Sequence, residues 1–465
     1  MVLSAAIART LGATDYGLLY LLTSIATFAY VFVDWGHGPY VTREVARHPE
    51  RTGEMMGSVL VVRIFTAAVV CVIAVAVTWL LGYDIRTRLL TVLIIVCWMP
   101  MYLALTYAWA FRGRERMDCD ALLTVVLKFS TLVISLVCLT LGGRLVALIP
   151  VYAVAGIITF GVAVVVYRRL GLPPLHFSRG AAHELIRDGA PMMAISLAVA
   201  VQPYIDANLL FKLAPTVVVG WYGATWIIAG TLVAPAMILG STVYPRLSKV
   251  SADPIEFGRT LRTTFRPLLL VAVLGSVGLY LFADVAISVV YSERKFGPAA
   301  DILRAFTPAL LLIYIDMLLG YAILAVGKAG QLAKAKLLAV IVTTGVELVL
   351  IPLCQARFSN GGIGIVLAMA CGELVMVTAA VLLLRNLVSG AMAADFFRGL
   401  LAGTATIALI RSVSLTPLLG IPLCVATFGV LAAVVGLVRR DDLELLSSMF
   451  RRRSTVMPEN PSPLP

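Results

Sequence analysis

The stretch ALLTVVLKFSTLVISLVCLTL, Ala121 to Leu141, decides the fold. It is long enough to cross a hydrocarbon core as a helix, which takes roughly 20 apolar residues. It carries a single charge, Lys128. Thr124, Lys128, Thr131 and Ser135 follow one another at i, i+4, i+7 and i+11, a spacing that puts all four on one helix face. A polar stripe on a lipid-spanning helix points to a wet cavity inside a bundle, or to helices packed through small polar residues.

Runs of the same kind recur on both sides, separated by turns rich in Gly, Pro and charge. They are Gly17 to Pro39, Gly57 to Leu81, Leu89 to Phe111, Leu145 to Tyr167, Ala190 to Phe211, Val217 to Val243, Leu268 to Val290, Ile302 to Val326, Leu332 to Cys354, Ile363 to Leu384, Phe396 to Ile410 and Leu418 to Val438. With Ala121 to Leu141 that makes thirteen spans. Met1 to Ala8 is an apolar stub that ends in the polar break Arg9 to Asp15. It reads as the last half of a helix behind a translation start placed too late, so the intact pattern has fourteen helices. The expected fold is therefore an all-α, polytopic membrane protein with thirteen full transmembrane helices and a truncated first one. Composition agrees: of 465 residues, 60% are apolar and 13% charged, too few charges to cover a soluble surface.

The net charge of +12 would fit nucleic-acid binding if the basic residues formed a patch on a soluble surface. They lie instead in short clusters between apolar runs, so no nucleic-acid partner is expected. Assigning alternate loops to opposite sides, and counting Arg304, Lys334, Lys336 and Arg398 at span edges with the adjoining loop, puts 25 of the 37 Lys and Arg on one side and 10 on the other, with Arg63 and Lys128 inside spans. By the positive-inside rule the richer side, with Arg112, Arg114, Arg116, Arg168, Arg169, Arg439 and Arg440, is cytoplasmic. That places the protein in the cytoplasmic membrane with its C-terminus inside. The seven cysteines show no metal spacing and read as small buried hydrophobes, and no metal site is expected. Asp441 to Arg453 is either an amphipathic surface helix or solvated charge, followed by a Pro-rich tail.

A shift of 203 residues superimposes Arg9 on Lys212, Gly17 on Gly220, Arg43 on Arg246 and Arg63 on Arg266. An even number of helices separates the copies, so they share orientation, as two six-helix lobes about a pseudo-two-fold axis along the membrane normal. The expected organisation is an N-lobe at 1–167, a cytoplasmic linker at 168–189, a C-lobe at 190–388, two appended helices at 389–440 and a cytoplasmic tail at 441–465.

Ionisable side chains at bilayer depth cost several kcal/mol and need a partner, a hydrated cavity or a route to the surface. In the first lobe these are Arg63, Lys128 and Asp34, with the stripe Thr23, Thr27, Tyr30 and Asp34 matching that of Lys128. Arg63 either snorkels to the cytoplasmic surface or pairs with Asp34. The second lobe holds Asp206 one turn after Gln202, with Pro203 between them, and also Glu347, Glu373 and Asp316. Carboxylates there suit a proton or Na⁺, and equally a salt bridge. Cations in one lobe and acids in the other suit an anion and a coupling cation respectively.

The opening Ala8-Arg9-Thr10-Leu11-Gly12-Ala13-Thr14-Asp15-Tyr16-Gly17, followed by Asp34-Trp35-Gly36 and Arg43-Glu44, resembles the start of the bacterial and archaeal oligosaccharide flippases. The superfamily of these proteins also holds multidrug and toxin extruders and lipid II flippases. The resemblance runs on through Asp206, Gly220-Trp221-Tyr222, Tyr244-Pro245-Arg246-Leu247-Ser248 and Phe296-Gly297-Pro298-Ala299-Ala300 and covers nearly the whole chain. One departure is Glu347 ahead of Ile351-Pro352, where relatives usually carry Asn. The resemblance implies translocation of a polyprenyl-diphosphate-linked oligosaccharide by alternating access, for cell-surface polysaccharide synthesis. It also implies polysaccharide polymerase or assembly proteins as partners, no organic cofactor, and possible coupling to H⁺ or Na⁺. Arg9, Arg63, Lys128, Asp34, Thr124 and Thr131 are the expected substrate contacts; Asp206, Glu347 and Glu373 are the expected coupling-ion sites.

A cation-coupled multidrug extruder of the same fold is the nearest alternative, though it calls for an acidic cavity in the first lobe. A glycan polymerase or ligase needs a positioned base or metal on a sizeable outer loop. The largest outer loop, Tyr291 to Asp301, is too small for that, and the four histidines make no catalytic pattern. The chain is expected not to be an enzyme.

Overall fold

Backbone in lipid has no water to bond to, so an apolar run must satisfy its own N–H and C=O groups, and a helix does so. The computed structural model describes residues 1–388, 390–412 and 416–438, with the side chains at 194, 195, 198, 199 and 200 excepted. No strand occurs among the described residues. In chain order the first helices are α1 (Val2–Leu11), α2 (Ala13–Asp34), α3 (His37–Arg47), α4 (Thr52–Leu80), α5 (Ile85–Gly113), α6 (Met117–Thr140), α7 (Leu145–Arg169) and α8 (Arg179–Leu213). They are followed by α9 (Thr216–Lys249), α10 (Pro254–Leu281), α11 (Ala283–Val290), α12 (Glu293–Phe296), α13 (Ala299–Ala325), α14 (Ala329–Phe358), α15 (Gly361–Leu383), α16 (Gly390–Arg411) and α17 (Pro417–Val434).

Every expected span falls mostly on helix, Gly17 to Pro39 turning at Trp35 and Gly36. Twelve helical segments among the described residues are long and apolar enough to cross a membrane, and the remaining expected span, 190–211, is the C-terminal part of α8. The chain is an all-α, multi-pass membrane protein. The expected segment Asp441 to Arg453 and the tail lie outside the described residues.

Two helix boundaries differ from the hydropathy reading. The span expected from Leu268 to Val290 is broken at Phe282, whose φ of −111° ends α10; α11 starts afresh with Asp284 in its first turn. At its other end α10 begins at Pro254, not at the apolar run. Asp253 caps it by accepting from the backbone N–H groups of Ile255 and Glu256, and Pro254 needs no donor in the first turn. Arg259, Arg262 and Arg266, expected in a loop, are therefore helical. The cysteine reading holds for Cys97, Cys119, Cys354 and Cys424, which are buried, whereas Cys71 and Cys138 are half-buried and Cys371 is exposed.

Between α2 and α3 the chain turns at Trp35 and Gly36, both left-handed with φ of 44° and 71°. Glycine is needed at 36 twice over, since a Cβ there would also run into the backbone at Gly189 and Met193. Trp35 is held by its indole N–H, which donates to the carbonyl of Ile186 at 2.8 Å.

The helices divide into two compact units, Met1–Trp226 with Ile287–Ala299 and Thr344–Ile365, and Ile227–Ala286 with Ala300–Thr343 and the chain from Val366 onward. In the first, Tyr40, Val45, Met56, Tyr107, Phe111 and Leu185 belong to one buried cluster. On its outer face Phe65, Val72 and Trp79 of α4 are exposed, as lipid-facing side chains are. In the second, α16 lays Gly399 and Gly403 on Leu269, Val273 and Val277 of α10.

Candidate functional site

Two charged centres lie inside the first unit. Arg63 of α4 is 1% exposed. Its guanidinium pairs with Asp34 at the end of α2 and donates to the Thr106 hydroxyl and, at 3.1 Å, to the carbonyl of Tyr102 on α5. The rings of Trp109 and Tyr102 lie 4.7 and 5.6 Å from its Cζ, a geometry that stabilises a desolvated cation. Tyr102 is in turn stacked on Tyr30, with ring centroids 3.9 Å apart, and the Tyr30 hydroxyl donates to the carbonyl of Ile95. Asp34 keeps 38% of its side chain exposed. Of the two fates expected for Arg63, pairing is the one observed. The centre is a buried cation whose counter-charge is only partly covered.

The second centre joins α8, α9 and α14. Gln202 Nε2 donates to Asp206 Oδ1 at 2.6 Å and to Glu347 Oε1 at 3.2 Å, and the Tyr222 hydroxyl donates to Asp206 Oδ2 at 3.2 Å. Asp206 and Glu347 are 2% and 0% exposed. Glu347 Oε2 and Gln202 Oε1 are buried without a hydrogen-bond partner. Two carboxylates share one amide donor with no Lys or Arg paired to either among the described residues, an arrangement in which both do not stay ionised unless a positive charge offsets them. The Tyr20 ring meets Tyr222 edge-on at 5.8 Å and closes one side. No group of three or more His, Cys, Asp and Glu suited to a metal occurs among the described residues.

The other expected site residues are spread out. Glu373 belongs to the second unit, where it interacts electrostatically with Asp316 and Lys336; Asp316 Oδ1 and Glu373 Oε2 are buried and unpartnered. The Arg9 guanidinium donates to the carbonyls of Val289, Val290 and Tyr291, closing the C-terminal end of α11, while Lys295 Nζ donates to the carbonyl of Arg9 at 2.9 Å. Arg9 is thus a clasp, and its Nε and Nη2 are engaged. The stripe on α6 divides. Thr131 and Ser135 are buried, whereas Thr124 and Lys128 are exposed beside Val125 and Phe129. The buried seam of α6 is Leu123, Leu127, Thr131, Ser135 and Leu139, an i+4 ridge. Such a ridge is inclined to the helix axis, so residues on one face at the two ends need not share surroundings. The α2 hydroxyls are similarly turned inward on their own helix, Thr23 to the carbonyl of Tyr20 and Thr27 to that of Thr23.

Sequence reasoning passed over several neighbouring residues. Tyr222 stood in a quoted motif without a role, the Trp109 and Tyr102 rings carried no pattern, and Asn208 accepts from the Tyr83 hydroxyl at 2.5 Å while Lys212 lies over the Tyr83 ring. Asn208 follows Tyr204 at i+4, and its amide bonds the Tyr204 carbonyl; an amide in an apolar run was the available signal.

A sequence model of the family described as polysaccharide biosynthesis protein matches residues 1–251. No curated protein matches the chain. Among solved structures, lipid II flippase MurJ in an inward closed conformation is similar, with a TM-score of 0.67 and 14% identity over 91% of this chain and 97% of that one. An inward-facing multidrug resistance MATE transporter of the MOP superfamily gives 0.61 and 14% over 89% and 95%. A MOP superfamily transporter from Pyrococcus furiosus, whose binding pocket is described as reversed in polarity, gives 0.52 and 13% over 87% and 91%. At such identities the likeness concerns the fold alone.

Proposed function

We propose, from the premise that the chain belongs to the polysaccharide biosynthesis protein family, that it carries a polyprenyl-diphosphate-linked oligosaccharide from the inner to the outer leaflet of the cytoplasmic membrane. The observation that supports this most is Arg63: a cation held within the membrane segments of the matched region, with an acid partner that is partly open. A diphosphate cannot enter hydrocarbon bare, so a carrier must offer it a positive group while the polyprenyl tail stays in lipid. A phosphate reaching the Asp34 side of the centre competes with that carboxylate for the guanidinium. Lys128, exposed within its span, is the second base proposed to meet the headgroup, with Thr124 and Thr131 on the same helix. Arg9, whose Nε and Nη2 are engaged by backbone carbonyls, is the lesser candidate for this role.

The lobes at 1–167 and 190–388 are proposed to alternate in access, and the Asp206–Glu347 centre to take up H⁺ or Na⁺. Binding there shifts the equilibrium by no more than its differential affinity for the two states. Glu373 is the lesser candidate, since Lys336 already offsets part of the charge of its pair with Asp316. The C-terminus is proposed to face the cytoplasm, and no chemical step is assigned to the chain.

The test is complementation of a flippase-null strain. The chain is expected to restore surface polysaccharide, and Arg63→Ala and Lys128→Ala to lose it while the protein still reaches the membrane. Resistance to cationic drugs in an efflux-deficient host, with no restored polysaccharide, would favour the extruder instead.

A further inference from the structure

In the second unit, Asp395 of α16 is 0% exposed and has more cationic partners than it can neutralise. Arg266 Nε donates to its Oδ2 at 2.8 Å, Arg398 Nη1 donates to its Oδ1 at 3.3 Å, and Arg262 Nε stands 3.7 Å from Oδ2. Among the described residues no other carboxylate pairs with these three guanidiniums. Three positive charges therefore face one negative charge.

A structural salt bridge would account for one arginine, because a carboxylate paired with a single guanidinium is already neutral. It does not account for donors left over in a buried place. Arg266 has 10% of its side chain exposed, yet its Nη2 has no hydrogen-bond partner, and neither has the buried Nε of Arg262. A buried, unpartnered charged donor costs well over a neutral one. Arg262 and Arg398 remain 34% and 43% exposed, so the cluster is open on one side.

Its position adds the rest. Arg262 and Arg266 occupy successive turns of α10 directly before Pro267 and the apolar run that starts at Leu268. Asp395 and Arg398 flank Phe396 and Phe397, where the apolar part of α16 starts. Phe397 is exposed beside Arg398. Charge next to exposed aromatic surface at the start of two spans is where lipid phosphates lie. We propose that Arg262, Arg266 and Arg398, gathered on Asp395, form a binding site for a phosphate group at the membrane surface. Guanidinium is the group suited to this, since its fork of donors matches phosphate oxygens. The phosphate is that of an anionic lipid headgroup or a free phosphate, and Phe397 favours the lipid. The site does not depend on the transport reading, and its readout is binding.

The full chain, purified in uncharged detergent and stripped of anionic lipid, is titrated with phosphatidylglycerol, with diacylglycerol and with inorganic phosphate. Native mass spectrometry and thermal unfolding are the readouts. Phosphatidylglycerol is expected to raise Tm and to be retained as a tight equivalent, and diacylglycerol to do neither. Arg262→Gln is expected to bind about tenfold more weakly, the loss of one charge-assisted hydrogen bond. Arg398→Gln, the most exposed of the three, keeps the Arg266–Asp395 pair and serves if Arg262→Gln fails to fold. Full competition by inorganic phosphate assigns the site to phosphate from either source, and its absence assigns it to the lipid. Equal phosphatidylglycerol binding by wild type and both variants, or equal binding of diacylglycerol, overturns the proposal.

Discussion

Arg63 and Asp34 are 29 positions apart and belong to different helices, yet neither has a sensible place in lipid without the other. Removing one member of such a pair leaves an isolated charge, which costs several kcal/mol, whereas replacing both with apolar residues is often neutral. Asp34→Asn is expected to lower stability by about 3 kcal/mol, the lower end of the range for breaking a buried pair, because Asp34 is partly exposed. The double variant Asp34→Leu with Arg63→Leu is expected to recover most of that in thermal unfolding and still fail to restore polysaccharide. Recovery of both stability and export would show that the pair serves the fold alone. This pairing was legible as one of two options, because an arginine one or two turns inside a span can reach either an acid or the surface. The aromatic shell was not legible, since Trp109 and Tyr102 look like any other apolar residue in their run.

For a helix, hydropathy reports where lipid begins and ends but says little about where hydrogen bonding does. That is why α10 starts fourteen residues ahead of Leu268, under control of Asp253 and Pro254, and why its arginines looked like loop residues. The α6 stripe shows a second limit: spacing gives the face, but the inclination of the neighbour decides which part of that face is covered. Between α10 and α16 the glycines 399 and 403 form a small-xxx-small pair. A Cβ at Gly403 would stand 2.7 Å from Val273 Cγ1, so the glycine lets the α16 backbone lie directly on the α10 side chains. Gly403→Leu is expected to cost about 1–3 kcal/mol through overpacking and to lower Tm, with Gly429→Leu, which has open space around it, as the neutral comparison. Equal Tm for the two variants would remove the close approach from the account.

For the whole molecule, fold class and the places of the membrane-spanning helices followed from run lengths, because the bilayer imposes one dimension on every element. The chemistry followed less well. Acids at positions 206 and 347 became one centre only through the packing of α8, α9 and α14, which no local pattern encodes, while Glu373 joined Asp316 and Lys336 instead. The coupling proposal therefore rests on the first of these. In vesicles containing the full chain, export of a diphosphate-linked glycan is expected to respond to an imposed proton or sodium gradient. Glu347→Gln, which keeps the size and the hydrogen bond from Gln202, is expected to erase that response while protein levels hold. Gradient-dependent export that survives in both Glu347→Gln and Asp206→Asn would move the coupling site elsewhere.

The clasp at Arg9 has a bearing on how the chain is made. Its acceptors at 289 to 291 lie about 280 residues downstream, so a ribosome adding roughly 5–20 residues per second delivers them some tens of seconds after the arginine itself. Throughout that interval the nascent first helix must keep its guanidinium in water or among headgroups. The opening segment therefore settles late, and arrested chains ending before residue 289 should leave Arg9 open to protease or label.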